Sequence, residues 1–468
     1  MEMDLVMPRR LRILAVKPRP ARQTIAMQAF ITSEPLELEY LHTVLSGDHD
    51  VTLLDGMTDR RDPVRVARAM GADAVLLTSF VTNVPAVLRI ARDLKALARP
   101  PRVFVGGPHA EVCPSHFADP AIDGVFFADA LNGVREVLAR VADGRPFDDV
   151  PGAAFPPAFD APPVPPLDPA ALPVPARVLY RADPRRYSYL YFDRCASVKT
   201  AFGCPERCAF CFCTEQHGGR YGPRPLAAVV DEIAGIGAPN VFLLDDNFLT
   251  SPARVLEFCD LVQARGLHRT TRFVAYGTAD FVARNPDVMA RLRDAGLAGL
   301  IVGFEFVTDD ALAAVNKRAR LADNDACLQA CRALDIEVFA LFVVDPDWPV
   351  AEFRRLAAYV QDRGIAFATF STLTALPGTV LAREAGVPDE EVRLRGWRFD
   401  LLRVSRTPRH MGRTRYYLWL FWLYLLPGFH PGTSRTLRRR YGRLGAIRAT
   451  IRAIGTGIGF LARLLWWR

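Results

Sequence analysis

Two runs of alternating strand and helix, separated by a proline-dense stretch, dictate the architecture of this chain. Between residues 11 and 149, short runs rich in Val, Leu and Ile (11–16, 51–54, 74–78, 103–105 and 124–127) alternate with amphipathic segments such as 36–44 and 84–98. That alternation is the mark of a parallel α/β sheet. The first run suits a Rossmann- or flavodoxin-like layer, whose ligands sit at the carboxyl ends of the strands. Those ends are Lys17-Pro18-Arg19, Ser79-Phe80-Val81-Thr82-Asn83 and Gly106-Gly107-Pro108-His109. The second run places strands at 197–201, 241–244, 271–276, 300–306, 337–344 and 367–371. Six parallel strands with intervening helices make an incomplete (β/α)6 barrel of TIM type, with chemistry expected at its carboxyl rim. The pairs Pro156-Pro157, Pro162-Pro163 and Pro165-Pro166 read as an extended, semi-rigid linker. The expected organisation is 8–150, a linker over 151–186, a barrel over 187–380 and a helical extension over 381–468.

The chemistry is concentrated in Ala201-Phe202-Gly203-Cys204-Pro205-Glu206-Arg207-Cys208-Ala209-Phe210-Cys211. Cys204, Cys208 and Cys211, at C-x3-C-x2-C, can hold three irons of a [4Fe–4S] cube and leave the fourth open. Fe–S clusters are ligated through cysteine thiolates, and an open metal position is where a substrate or cofactor is activated. The competing reading is a structural zinc site with Cys213 as fourth ligand, although zinc knuckles favour paired C-x2-C units. Cys113, Cys195, Cys259, Cys327 and Cys331 are scattered. An odd total of nine cysteines in a long chain fits a reducing, cytoplasmic compartment better than a disulfide scaffold. Cys327 and Cys331, four apart on a helical pattern, read as small buried apolar residues.

The cysteine loop, down to the aromatic Phe210, resembles the signature of the radical S-adenosylmethionine enzymes. The first run, through Ser79–Asn83 and Val105-Gly106-Gly107-Pro108-His109-Ala110, resembles the cobalamin-binding domain that precedes the radical domain in class B members. His217-Gly218-Gly219-Arg220-Tyr221, Leu244-Asp245-Asp246-Asn247-Phe248, Gly303-Phe304-Glu305 and Leu376-Pro377-Gly378-Thr379 extend the resemblance through most of the first 400 residues. As a set they are similar to the subgroup of the anaerobic magnesium-protoporphyrin ester cyclase and the hopanoid methylases. Two departures stand out. No Asp-x-His-x-x-Gly offers a lower cobalt ligand, which this family usually lacks; and Ala128-Asp129-Ala130-Leu131-Asn132-Gly133 replaces the family's Gly-Glu-Gly-Glu.

The resemblance implies three cofactors: a [4Fe–4S] cluster on Cys204, Cys208 and Cys211, S-adenosylmethionine on its open iron, and cobalamin. Cleavage of the sulfonium by a cluster electron would give a 5′-deoxyadenosyl radical, with the electron coming from a flavodoxin- or ferredoxin-type donor. It implies S-adenosylmethionine contacts at Phe210, Asp245, Asp246, Asn247, Tyr276, Glu305 and Val343. For cobalamin it implies Ser79, Thr82, Asn83, Gly106, Gly107, Pro108 and His109. The residues themselves leave alternatives open. Adjacent acids at a strand end are commonly helix caps, Val343 fits an apolar core strand, and a lone Glu305 in an apolar strand needs a hydrogen-bonding partner. Thr278 stands where relatives often carry an arginine and cannot hold a carboxylate as arginine does. The glycine pair lets a bulky ligand approach the backbone.

Charge is uneven. Fourteen arginines and no acids lie between Arg403 and Arg468, so the net +8 leaves the first 402 residues at 8 − 14 = −6. An acidic body does not invite a nucleic-acid reading. No charged, cleavable apolar leader is legible at the start. The apolar run Tyr416–Leu426 is too short for a spanning helix of about twenty residues, and 446–468 mixes Arg448, Arg452 and Arg463 with Ile, Leu, Phe and Trp. Such a segment either lies in a membrane surface at the inner face or packs on the barrel with a solvated basic side. Tyr416–Leu426 lining a substrate channel is a third option. The leading expectation is a radical methyltransferase acting on an unactivated carbon of a small, apolar or lipid-linked molecule. Its rivals are a non-methylating oxidative cyclase or rearranging enzyme with the same cofactors, and a corrinoid- or metal-binding protein without turnover.

Overall fold

The computed structural model describes residues 9–24, 31–127, 130–157, 159 and 168–466. The chain divides into two compact units. The first holds β1 (Arg12–Lys17), β2 (Asp50–Asp55), β3 (Ala74–Thr78), β4 (Arg102–Gly106), β5 (Gly124–Phe126) and β6 (Ala153–Ala154) in the order β2-β1-β3-β4-β5-β6. The first five are parallel and β6 is antiparallel. This is the doubly wound order, with its reversal between β1 and β3. β3 is buried at every position, which a sheet covered on both faces requires. Leu11, Ile13, Ala15, Leu76, Phe104, Phe126, Val137 and Leu138 belong to its core.

The region 168–186 is docked on this unit and does not serve as a free spacer. Arg177, 1% exposed, pairs with Glu34 at 2.6 Å, and the Glu39 carboxylate accepts from Val178 N and Leu179 N, both at 2.7 Å. Pro162-Pro163 and Pro165-Pro166 lie outside the described residues, as do Ala128 and Asp129. Residues Gly386–Trp397 also belong to the first unit.

The second unit holds β7 (Cys195–Val198), β8 (Asn240–Leu243), β9 (Arg272–Gly277), β10 (Leu297–Glu305), β11 (Glu337–Val344) and β12 (Phe367–Thr372), parallel and in sequence order. The sheet is open, as a partial barrel demands. Tyr189, Phe242, Val274, Ile301 and Phe339 pack in its core. The first barrel strand ends at Val198, short of the expected 201, because Thr200 N and Ala201 N turn to the Asp245 carboxylate. Ala201–Phe202 instead pairs antiparallel with Gly222–Pro223.

The tail begins with the helix Arg413–Phe429, which covers the edge strand β12. Tyr424 Oη donates to Phe370 O at 2.6 Å and accepts from Phe370 N at 3.2 Å, satisfying backbone groups that an edge would leave to another chain. Tyr416, Leu420 and Leu423 are fully buried beneath it. For this helix the packing alternative is the observed one. The following helical stretch Pro431–Trp466 breaks at Gly442, whose φ is 68°.

Candidate active site

The cysteine loop is held from two sides. On one side Asp246 accepts from Gly203 N at 2.9 Å, with His217 Nε2 at 3.4 Å and Lys199 Nζ at 3.6 Å. Burial alone would raise the Asp246 carboxyl, but the His217 hydrogen bond and the Lys199 charge outweigh it and hold it below the usual carboxylate range. On the other side the turn after the helix Asp309–Ala314 straps the loop. Ala209 N donates to Val315 O at 3.1 Å, Asn316 Nδ2 to Arg207 O at 2.8 Å, and Arg318 pairs with Glu206 at 3.3 Å.

Burial raises the Cys204 thiol to about 11 and the Cys208 thiol to about 12, the latter against the pull of the Lys317 charge. Cys211 is lowered to about 6, chiefly by a hydrogen bond with Cys213. Cys213 therefore touches a candidate ligand. Among the described residues, His109, Cys113 and His116 bring three potential ligand atoms within 4.8 Å of one another.

Glu305 and Lys317 form the charged floor beneath the loop. Glu305 closes β10 at φ 59° and pairs with Lys317 Nζ at 3.0 Å, both side chains nearly buried. An added Cβ at Gly303 would stand 2.0 Å from Glu305 Oε1, so the glycine leaves the space into which that carboxylate folds. Burial by itself lowers the Lys317 amine, but the charges of Glu305 and Cys208 outweigh it and raise it. Lys317 had no motif to announce it; its only trace is a basic residue just past a short helix.

The remaining sequence-selected residues divide. The Asp245 carboxylate is spent on Thr200 N (2.6 Å), Thr200 Oγ1 (2.5 Å) and Ala201 N (3.0 Å), and burial raises its pKa. It orders the loop entrance and offers no spare face. Asn247 Oδ1 accepts from Leu249 N at 3.1 Å, the turn-forming use. Tyr276 shares a hydrogen bond with Tyr189, and burial raises its hydroxyl. Val343 packs with Phe306 and Leu312. Phe210 is half-buried in the loop.

In the first unit, Gly107 has φ 94°, and a Cβ there would stand 2.4 Å from Thr78 Oγ1 and 2.9 Å from Ser79 N. The close approach that needs this glycine is thus to β3 itself. Gly106 differs, since its added Cβ would meet nothing nearer than Phe126 Cβ at 3.8 Å, leaving room at the end of β4. Ser79, Asn83 and His109 are turned inward. Ser79 N donates to Gly106 O at 2.8 Å, Phe80 N to Asn83 Oδ1 at 2.9 Å, and His109 N to Ser79 O at 3.0 Å. Thr82 and Pro108 are half-buried, while Phe80 is exposed with Lys17 Nζ 5.6 Å over its ring.

A sheet of this kind with a three-cysteine loop after its first strand defines a radical S-adenosylmethionine domain, and the Radical SAM superfamily matches residues 198–360. The B12 binding domain family matches residues 25–138. With both domains in this order, the chain belongs to the cobalamin-dependent, class B radical S-adenosylmethionine enzymes. Its cofactors are accordingly a [4Fe–4S] cluster, S-adenosylmethionine and cobalamin. It is 22% identical over 386 residues to an uncharacterised methyltransferase of Pyrococcus horikoshii, covering 79% of this chain and 82% of that one. The anaerobic magnesium-protoporphyrin IX monomethyl ester cyclase of Synechocystis is 24% identical, over 64% of this chain and 62% of its own length. The hopanoid C-2 methylase of Rhodopseudomonas palustris is 25% identical, over 60% and 51%. Among solved structures, the methyltransferase TsrM of Kitasatospora setae superposes with a TM-score of 0.66 at 20% identity, over 80% of this chain and 77% of that one. The radical enzyme OxsB superposes at 0.69 and 14% identity, over 96% and 72%.

Proposed function

We propose that this radical S-adenosylmethionine enzyme methylates an unactivated carbon of a small molecule. The observation that carries the reading is the union, in one chain, of a B12-binding domain and a radical S-adenosylmethionine domain with its three-cysteine loop. The methyltransferases among its relatives support it. When bound, the cluster and S-adenosylmethionine supply hydrogen abstraction, and cobalamin supplies the methyl group. Cys204, Cys208 and Cys211 are the cluster ligands. Asp245 and Asp246 hold the loop open in the geometry those ligands need, and Lys317 places a cation beside the anionic thiolates. Gly106 leaves the corrin its approach to the end of β4. An external flavodoxin- or ferredoxin-type protein supplies the electron.

The deciding experiment is anaerobic turnover of cobalamin-loaded enzyme with candidate substrates. S-adenosylhomocysteine formed alongside 5′-deoxyadenosine supports methylation. 5′-Deoxyadenosine alone, with an oxidised product, would establish the cyclase-type reaction that the Synechocystis relative favours.

The enzyme works in the cytoplasm, held at the inner membrane face by its tail. No helix among the described residues is long and apolar enough to cross a membrane. After Gly442, however, Leu444, Ile447, Ile451, Ile454 and Ile458 recur at three- and four-residue spacing and are 56–74% exposed. Ala446 and Phe460 turn the opposite way, Phe460 stacking on Phe421. An exposed aliphatic stripe among arginines without acids suits a helix seated in an anionic surface, and an apolar or lipid-linked substrate would reach the enzyme there.

A further inference from the structure

Away from the cysteine loop, the first unit carries a second cluster of metal-ligating side chains. His109 lies in the short helix Pro108–Val112, Cys113 caps its end four residues on, and His116 follows on the turn Pro114–Phe117. The spacing is H-x3-C-x2-H. Both imidazoles are buried, at 0% and 3% exposure. His109 Nε2 lies 2.9 Å from His116 Nδ1, and these nitrogens and the Cys113 sulfur lie within 4.8 Å of one another. The far side of the second ring is engaged too: His116 Nε2 meets Asp389 Oδ1 at 3.1 Å.

That last contact decides the tautomer. A carboxylate at Nε2 accepts a hydrogen bond from that nitrogen's N–H, so the Nδ1 lone pair of His116 points toward His109 and Cys113. An outer carboxylate that orients a ligating imidazole in this way is the usual support of a metal-bound histidine. We infer that His109 Nε2, Cys113 Sγ and His116 Nδ1 form a binding site for a divalent transition metal of zinc type, with Asp389 orienting His116. Two imidazoles and one thiolate are a borderline-soft donor set, which zinc prefers. A tetrahedral ion would draw the three atoms to about 3.3–3.8 Å, from bonds of about 2.0–2.3 Å. On binding, the Cys113 thiol releases its proton to solvent, and a His109 tautomer with the proton on Nδ1 frees Nε2 to ligate.

The site has a structural consequence. Asp389 begins the helix Asp389–Arg395, far along the chain, and the same helix is anchored by Arg393 Nη2 donating to Ala118 O at 2.9 Å. An ion on His116 would lock the returning segment to the loop that follows β4. The site is independent of the cysteine loop and does not rest on the methylation reading.

The test is metal content and absorption fine structure of the full chain with its cluster already reconstituted, after exposure to zinc chloride and desalting. Iron is measured in the same sample, so that zinc lodged in the cysteine loop is recognised. The expected result is about one zinc per chain, with a single sulfur and the remaining ligands nitrogen or oxygen. Cys113→Ser should lower zinc retention at least tenfold at unchanged iron content. Asp389→Asn should weaken zinc affinity about 10–100-fold, the usual effect of losing an outer partner. Circular dichroism and iron content of Cys113→Ser verify that it folds. Less than a tenth of an equivalent in the parent chain, undiminished zinc in folded Cys113→Ser, or a shell of three sulfurs would each overturn the inference.

Discussion

Asp245 separates two explanations of an acid at a barrel rim: contact with S-adenosylmethionine, or support of the cysteine loop. Its carboxylate accepts three hydrogen bonds from Thr200 and Ala201, is 2% exposed, and stands where the chain leaves β7 for the loop. Asp245→Ala leaves those three donors buried without an acceptor, at about 1–3 kcal/mol each, so roughly 3–9 kcal/mol in all. Asp245→Asn is milder. The amide oxygen retains the position that both N–H groups use, and the Thr200 hydroxyl can rotate to accept from the amide nitrogen. What is lost is charge assistance, roughly half the strength of each bond, offset by easier burial of a neutral group, for a net of about 1–2 kcal/mol. For a unit of this size about 2–4 °C is lost per kcal/mol, so Ala should lower the melting temperature by about 6–36 °C and Asn by about 2–8 °C. Thermal unfolding of reduced, cluster-free protein gives the first reading, and equilibrium binding of S-adenosylmethionine to reconstituted protein the second. Stability that ranks parent, Asn, Ala, with Asn binding the cofactor normally, is the expected pattern. Unchanged melting in Asn with a large loss of cofactor affinity would refute the supporting role.

Single replacement of Cys204, Cys208 or Cys211 by Ala should abolish S-adenosylmethionine cleavage and lower bound iron, whereas Cys213→Ala should retain both; iron and sulfide assays decide. Gly106→Val should remove corrin absorbance while sparing reductive cleavage, because its Cβ would meet nothing nearer than Phe126 Cβ at 3.8 Å and the branch extends into the space left at the end of β4. Gly107→Val is the less clean variant, since its positive φ and the contact with Thr78 would disturb β3 as well. Full-length protein should sediment with vesicles of anionic lipid at low salt, each arginine near the surface adding about 1 kcal/mol. Ile447→Glu with Ile454→Glu should release it without altering melting, and failure of the parent chain to bind would remove the membrane reading.

The fold was legible because its signals are local. Parallel strands buried on both faces read as continuous apolar runs, and β3 and β11 lie where those runs predict, at Ala74–Thr78 and Glu337–Val344. The cysteine loop was equally legible, since ligand spacing is a property of a few consecutive residues. That Glu305 needs a partner was legible in the cost of burying a charge inside an apolar strand, though the expected partner was a ribose hydroxyl or a backbone donor. The actual one was not legible, because Lys317 reaches it only through the turn that follows the next helix.

The sequence by itself determined where the strands run, which thiols share a loop and which polar residues stand at the strand ends. Tertiary structure alone decided how the polar residues at those ends are used. Asp245 and Asp246 are neighbours with the same functional group, yet one is consumed by the Thr200 turn and the other gathers Gly203, His217 and Lys199. His109 follows a glycine pair that faces the strand end, yet its ring turns inward to His116, and through it to Asp389, 273 residues beyond His116. The aromatic run of the tail covers β12 because an unpaired edge lay there to be covered. Periodicity fixes the direction of a side chain relative to its own strand or helix; what it meets depends on which distant segment the fold brings against it.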